Sequence, residues 1–326
     1  MKFILPLMCL FSSTICGGKE SSFRVLFRVV NDEGKPVAEA KVGVSWENAT
    51  ATKNSERIKS VESISDQDGR VEFEGKAFTS GVSYGANKQG HYAAWGLRYS
   101  FTSTHLLRWQ PWNPTIEVLL KRIKNPVPMY AKRVEVKIPE FNQPIGYDLV
   151  QGDLVAPYGK GQLSDLIFEA DRKVVSDQEY DGTLTLRFSN EGDGLVAHEI
   201  PQPDPPGLRM PYIAPDDGYV SSKTWEESRH TSARRNGNII STASNRMNYF
   251  IRVRTVRDKE GKIVSALYGK IHGDFRWFIG ARAPKSGLAF IYYLNPDGTR
   301  NVEYDPKRNL LKSSKRDDSD YENLAP

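Results

Sequence analysis

Two side chains that could form an oriented general base lie close together on one predicted strand, residues 263–278. Apolar residues recur at every second position of this strand, so the pattern predicts that His272 and Asp274 share the opposite face. A histidine beside a carboxylate is a candidate catalytic pair, and Lys270 and Arg276 on the same face would hold an anion. The simpler interpretation is a solvated strand face with paired charges, because no nucleophile accompanies the pair.

A second candidate is an aromatic run between residues 81 and 120. Its candidate ligand-binding residues are Trp95, Tyr99, Trp109 and Trp112. Aromatic rings can stack on the C–H faces of sugars while flanking polar groups bond the hydroxyls, which would make this run a carbohydrate platform. The alternative is that these rings fill the core of the first domain.

The sequence predicts neither a metal site nor a cofactor. The histidines are scattered and form no His-Glu-x-x-His motif. Carboxylates of the kind used in glycoside hydrolysis are present, but that chemistry needs two of them at a set separation in one cleft. The candidates are Asp148, Asp153, Glu169, Glu303 and Asp305.

The chain that must position these residues is long enough for two domains. It has 326 residues, of which 39% are hydrophobic and 26% charged, as is typical of globular proteins. Its formal net charge of +5 is spread along the chain, which argues against a nucleic-acid-binding protein.

The first 18 residues are predicted to be a secretory signal peptide. Lys2 precedes a short apolar run, which ends in small and polar residues up to Gly18. Both cysteines, Cys9 and Cys16, fall within this leader, so its removal would leave a protein without thiols, as suits a bacterial envelope. Lipid anchoring at Cys16 is the disfavoured alternative, because Ile15 stands where a small residue is expected. The sequence predicts no transmembrane segment.

Residues 19–124 are predicted to form a transthyretin-like or immunoglobulin-like β-sandwich. Alternating apolar residues enter the turn 31–36, a second strand leaves it, and the turn 66–69 leads to Val71 and Phe73. These turns, with Gly34, Pro36 and Gly69, resemble the carboxypeptidase regulatory-like family, apart from a polar insertion between Ser45 and Ser65. The resemblance implies a transthyretin-like fold and an accessory module that has no active site of its own.

Residues 125–312 are predicted to form a second, larger β-sandwich or jelly-roll-like domain. A basic, proline-containing linker near Asn125 marks the boundary, and short apolar strands follow it. A long loop rich in proline is predicted between His198 and Met247, and the polar residues 313–326 are predicted to be a disordered tail.

Taken together, the sequence predicts an exported, all-β, non-catalytic binding protein of the bacterial envelope. Its predicted partner is a carbohydrate or another envelope protein, on the strength of the aromatic run and the family resemblance. The alternative is a secreted hydrolase of extracellular polysaccharide or peptide, whose site would lie in the second domain.

Overall fold

The protein is an all-β protein, as the sequence predicts. The computed structural model describes residues 20–48, 57–176, 178–200, 207–230, 239–278 and 287–311, together with Leu324 and Pro326. Strands are the regular elements throughout these residues. The chain divides into two compact units, Met1–Arg122 and Ile123–Pro326. The predicted leader, with its lipid-attachment candidate Cys16, lies outside the described residues.

Unit 1 is a sandwich of two sheets. Its strands are β1 (Ser21–Val30), β2 (Lys41–Glu47), β3 (Ile58–Ile64), β4 (Arg70–Ala77), β5 (Gly81–Asn87), β6 (Ala94–Ser100), β7 (Ser103–His105), β8 (Arg108–Gln110) and β9 (Thr115–Leu119). Sheet A has the order β4-β1-β8-β7, with β9 also paired to β1, and sheet B has the order β3-β2-β5-β6.

The core of unit 1 consists of the alternating apolar residues of both sheets. In β1 every second residue from Phe23 to Val29 is fully buried. Aromatic contacts join the sheets, since the rings of Phe27 and Tyr84 lie 4.9 Å apart and those of Phe23 and Trp46 lie 5.0 Å apart. These contacts show that sheets A and B pack face to face.

Both predicted turns of unit 1 are held by a side-chain cap. Asn31 Oδ1 accepts hydrogen bonds from the backbone N–H groups of Glu33 and Lys35, and Asp66 Oδ1 accepts them from Asp68 and Arg70. Gly69 has φ of +72°, and a side chain there would collide with the backbone of Val29. A glycine is therefore required at this turn for two reasons.

Unit 2 contains twelve strands among the described residues. They are β10 (Val127–Lys137), β11 (Pro144–Asp148), β12 (Asp153–Leu154), β13 (Leu166–Ser176), β14 (Glu179–Arg187), β15 (Gly194–Glu199), β16 (Ser222–His230), β17 (Ile239–Ser241), β18 (Met247–Arg257), β19 (Ile263–Phe278), β20 (Gly287–Asn295) and β21 (Tyr304–Asn309). Sheet C has the order β15-β18-β19-β20-β10-β21, and sheet D has the order β12-β11-β13-β14-β16-β17.

Sheet C is buried on both faces. One face packs against sheet D, where Trp225 of β16 lies 6.0 Å from Tyr249 of β18 between ring centroids. The other face packs in a second apolar cluster, whose buried members are Met129, Ala131, Met210, Ala214, Phe250, Tyr293, Val302, Tyr304 and Leu324. Because both faces are covered, β18 is buried at nearly every position from Asn248 to Val253, as a central strand is, rather than at alternate positions.

One prediction for unit 2 needs correction. The loop predicted from His198 to Met247 contains β16 and β17, although residues 201–206 and 231–238 of it lie outside the described residues. Most of the predicted disordered tail lies outside the described residues, but its residue Leu324 is buried in the second apolar cluster, at 4% exposure. Its apolar side chain gains by leaving water there.

Candidate binding site

The outer face of sheet B, which points away from the core of unit 1, carries an exposed tryptophan. The pairing of β5 with β6 shifts register between Tyr84 and Ala86, and Gly96 has φ of +76°. Such a bulge re-aims the neighbouring side chain. Trp95 consequently lies over the outer face of the sheet and remains 39% exposed.

Two glycines make room for this ring. Gly43 and Gly85 are directly opposite each other on β2 and β5. A Cβ on Gly85 would collide with the six-membered ring of Trp95 and lie 2.6 Å from Ala94 O, whereas a Cβ on Gly43 would lie 3.5 Å from Trp95 Cζ3. Glycine within a strand marks a place where something approaches the backbone closely, and here it is the indole.

A polar row runs beside the tryptophan. Ser60, Ser45, Ser83 and Arg98 are paired in register across β3, β2, β5 and β6, two residues along the strands from the glycines. We call these four residues the serine row. The guanidinium of Arg98 lies over Gly81, where a Cβ would be 2.7 Å from Nη2. The row therefore offers hydroxyl groups and one cation next to an exposed aromatic ring.

Ion pairs flank the serine row on the same sheet. Lys41 Nζ lies 2.6 Å from Glu62 Oε2, and Arg57 Nη2 lies 3.0 Å from Glu47 Oε1. All four side chains are at least partly exposed. The charges are paired with each other, so the face as a whole is polar without a dominant sign.

The other three predicted ligand-binding aromatics do not join Trp95. Trp109 and Tyr99 pack against the core of unit 1, where Trp109 stacks on Phe101 with 6.0 Å between ring centroids, and its Nε1 donates to Ala77 O. Trp112 is 38% exposed, but it follows β8 of sheet A and lies 5.1 Å from the guanidinium carbon of Arg108. The predicted run thus supplies one ring to sheet B and two to the core.

The predicted catalytic pair is not assembled. His272 is 5% exposed and its ring lies 4.6 Å from that of Tyr293, in the second apolar cluster. Asp274 instead accepts hydrogen bonds from Tyr249 Oη at 2.8 Å and from the N–H of Ser244. Gly273, with φ of +76°, lies in an irregular part of the β19–β20 pairing and interrupts the alternation on which the prediction rested.

Burial dominates the electrostatics of both side chains. Desolvation lowers the pKa of His272 well below its ordinary value, and the charges of Lys270 and Arg209 lower it further. Desolvation raises the pKa of Asp274, against the opposing effect of its hydrogen-bond donors. The histidine is therefore neutral at pH 7 and is covered from solvent.

A charged cluster that the sequence did not predict lies between sheets C and D. Arg254, with φ of +56°, donates from Nε and Nη2 to Asp165 and from Nη2 to Asp148, at 2.8 to 3.0 Å. Asp148 and Asp165 are about 2% exposed. The Arg254 backbone N–H donates to a third buried carboxylate, Asp193, at 3.0 Å. We call these four residues the Arg254 cluster.

The carboxylates of the Arg254 cluster are occupied by structural partners. Burial alone would raise the pKa of Asp148, but the backbone N–H groups of Gln162, Gln151 and Leu163, together with Arg254, hold it below its usual value. Burial raises the pKa of Asp165, and its hydrogen bonds to Arg254 oppose this.

The other carboxylates noted in the sequence have structural partners as well. Glu303 is buried and accepts the N–H groups of Lys124 and Asn125, and Asp153 accepts those of Leu154 and Lys160. Glu169 pairs with Arg187, and Asp305 with Arg308. These bonds fix loops and strand ends.

Within the described ranges, no group of three or more histidine, cysteine, aspartate or glutamate side chains is arranged to hold a metal ion. The same residues include no helix with the length and apolar character needed to cross a membrane.

No protein-family model and no curated protein matches the chain. Among solved structures, the chain is similar to 3-chlorocatechol 1,2-dioxygenase of Rhodococcus opacus, with 9% identity over 33% of this chain and 63% of that chain and a TM-score of 0.25. It is also similar to BcpA, the major pilin subunit of Bacillus cereus, with 11% identity over 86% and 99% of the two chains and a TM-score of 0.23.

A third similar structure is the pilus adhesin RrgA of Streptococcus pneumoniae, with 11% identity over 54% of this chain and 21% of that chain and a TM-score of 0.17. The match covers only 63% of the Rhodococcus dioxygenase. Similarities this remote carry no information about activity, ligand or partner.

Proposed function

We propose that this chain is an exported, non-catalytic binding protein of the bacterial envelope, and that it binds carbohydrate on the outer face of sheet B. The observation that carries the proposal is the placement of Trp95 over Gly43 and Gly85, with 39% of the residue exposed. Export itself rests on the predicted leader, and the accessory character of unit 1 rests on its resemblance to the carboxypeptidase regulatory-like family.

The ring of Trp95 offers the apolar part of such a site. A large exposed aromatic side chain costs free energy in water, and the C–H face of a pyranose that covers it recovers part of that cost. Because one side of the indole is supported by the glycines of β2 and β5, the ring is held in place before a ligand arrives. Binding then requires little ordering of the side chain.

The serine row supplies the polar part. Hydroxyl groups both donate and accept hydrogen bonds, as sugar hydroxyls do, and the guanidinium of Arg98 donates in a fixed fork. In an antiparallel sheet, positions two residues apart on one strand are about 7 Å apart, which is close to the width of a sugar ring. A sugar on Trp95 therefore brings its hydroxyls within reach of Ser45, Ser83 and Arg98.

The hydrolase that the sequence left open is not supported by a structural observation. Its candidate catalytic residues, His272 and Asp274, lie against different parts of unit 2. The carboxylates of the Arg254 cluster are engaged with backbone N–H groups and with a guanidinium.

Trp95→Ala tests the contribution of the exposed ring to binding. A glycan array would identify a ligand, and titration calorimetry would then compare variants on that ligand. We expect Trp95→Ala to weaken binding by about 5- to 30-fold, the equivalent of ~1–2 kcal/mol for a lost stacking contact.

The matched control is Trp112→Ala, which removes a tryptophan of nearly equal exposure from the turn between β8 and β9. It should leave the affinity unchanged. Weakening by Trp112→Ala with no effect of Trp95→Ala would place the site elsewhere, and an array on which the protein binds no glycan would contradict the carbohydrate proposal.

A further inference from the structure

Strand β3 forms an exposed edge of sheet B. Among the described residues it pairs with β2 alone, and all seven of its residues are exposed. An edge strand of this kind presents unpaired backbone groups that can bond to another strand.

The hydrogen-bond register shows which residues have those unpaired groups. The carbonyl of Arg57 accepts the N–H of Asn48, and the N–H of Ser65 donates to the carbonyl of Ala40. The odd-numbered residues of β3 therefore face β2. Because consecutive residues alternate in direction, the N–H and C=O groups of Ile58, Ser60, Glu62 and Ile64 face away from it.

The side chains of β3 are arranged symmetrically about Val61. Ile58, Val61 and Ile64 are 66%, 41% and 56% exposed, and they stand at the two ends and the centre of the seven-residue strand. Between them lie Lys59 and Ser60 on one side and Glu62 and Ser63 on the other. A second β3 strand that runs in the opposite direction therefore has its apolar residues at the same three positions.

We propose that β3 pairs with β3 of a second copy of this chain, antiparallel and with the two-fold axis at Val61. In this register Ile58 lies opposite Ile64 of the second copy, and Val61 lies opposite its own counterpart. The opposed pairs of even-numbered residues are the ones with free backbone groups, so they can form about eight hydrogen bonds across the axis.

Charge is compatible with this register. Lys59 lies opposite Ser63 of the second copy and Glu62 lies opposite Ser60, so no like charges are directly opposed. Glu62 is also neutralised within its own chain by Lys41, at 2.6 Å. The same antiparallel register thus satisfies the apolar residues, the free backbone groups and the charges of β3. For this reason we expect β3 to pair with β3 of a second copy rather than with a strand of another protein.

The dimer would contain one eight-stranded sheet made from two copies of sheet B. Residues opposed across the axis share a face, so the two Trp95 rings lie on the same side, roughly 15–25 Å apart at the usual spacing between strands. This consequence rests on the proposed function. It gives a bivalent surface suited to a polymer with repeated sugar units.

Sedimentation equilibrium of the purified protein tests the pairing. We expect the wild type to change from monomer to dimer with increasing concentration, and Val61→Lys, which places two ammonium groups at the axis, to remain monomeric. An equimolar mixture of Val61→Lys and Val61→Glu should recover the dimer. The control is Ile240→Lys, which alters an exposed isoleucine on the edge strand β17 and should dimerise as the wild type does.

A second pair of variants tests the backbone bonds while leaving the β2 contacts in place. Ser60→Pro removes one N–H that faces away from β2 and should weaken dimerisation at least tenfold, whereas Ser60→Ala should not. Circular dichroism verifies that each variant is folded. A wild type that stays monomeric at every concentration, or a folded Val61→Lys that dimerises normally, would overturn the proposal.

Sugar binding is measured separately. A dimer that binds no glycan would refute the proposed function while leaving the pairing intact. If Val61→Lys binds a single short sugar as the wild type does but binds the polymer at least tenfold more weakly, the bivalent surface is supported; equal binding of the polymer would refute it.

Discussion

The outer face of sheet B and the Arg254 cluster differ in what their polar groups bond to. In the cluster, Asp148, Asp165 and Arg254 bond to each other and to backbone N–H groups. On sheet B, the serine row lies beside an exposed ring, and its four residues are partly or fully exposed. The concentration of charge in the Arg254 cluster therefore forms a structural contact between sheets C and D, whereas the proposed ligand site on sheet B is marked by glycines.

Of the variants that distinguish the Arg254 cluster from sheet B, Arg254→Met should have the largest effect, and this effect is on stability. This change leaves Asp148 and Asp165 without their cation in a buried position, and we expect the free energy of unfolding of unit 2 to fall by about 3–5 kcal/mol. Urea denaturation would measure the loss. Under conditions in which the protein remains folded, binding of sugar to sheet B should be unchanged.

Arg187→Met is the matched control for this change. Arg187 pairs with Glu169 at 2.8 Å on the exposed side of sheet D, where an ion pair stabilises by at most ~1 kcal/mol. Equal destabilisation by Arg254→Met and Arg187→Met would show that the Arg254 cluster is not a stabilising contact between sheets C and D.

The next largest effect should come from Gly85→Ala. The added methyl group would collide with the ring of Trp95 and lie 2.6 Å from Ala94 O, so the ring must move. We expect a loss of about 1–3 kcal/mol in stability, as for other overpacked positions, and weaker sugar binding although no ligand contact is removed. Denaturation and calorimetry would measure the two quantities.

Gly43→Ala provides the comparison. Its methyl group would lie 3.5 Å from Trp95 Cζ3, an ordinary contact, so both stability and affinity should change little. If Gly85→Ala binds sugar as well as Gly43→Ala does, the position of Trp95 is not what determines binding.

The sequence predicts some of these features and not others, for physical reasons. The strands of unit 1 and their turns follow from local signals, namely alternation and glycines with positive φ such as Gly34 and Gly69. The exposed Trp95 was among the predicted ligand-binding residues. Its support by Gly43 and Gly85 depends on which residues of β2 and β5 are opposite each other, and this register is set by long-range pairing.

The incorrect predictions for unit 2 have the same cause, because they too depend on pairing between distant parts of the chain. His272 and Asp274 were placed on one face by the strand period of two, which the irregularity at Gly273 interrupts. The Arg254 cluster joins carboxylates from distant parts of the chain, so no local spacing in the sequence predicts it. Strand β16 has one large apolar residue directed into the core, Trp225, so its pattern was too weak to predict a strand.

The smallest effect in this series should be a change in the pH dependence of stability in His272→Phe. In the unfolded chain a histidine titrates with a pKa near 6.5, whereas burial holds the pKa of His272 well below that value in the folded protein. Below about pH 6.5 the unfolded state therefore binds a proton that the folded state does not. The contribution of neutral His272 to stability is complete above this pH and is lost as the pH falls, by up to ~1.4 kcal/mol per pH unit.

Urea denaturation between pH 5 and 8 would reveal this slope in the wild type and its reduction in His272→Phe. Parallel curves for the wild type and His272→Phe would mean that water reaches His272 in solution. In that case unit 2, like the outer face of sheet B, would have a polar group accessible to solvent, and the contrast between buried polar groups in unit 2 and accessible ones on sheet B would be refuted.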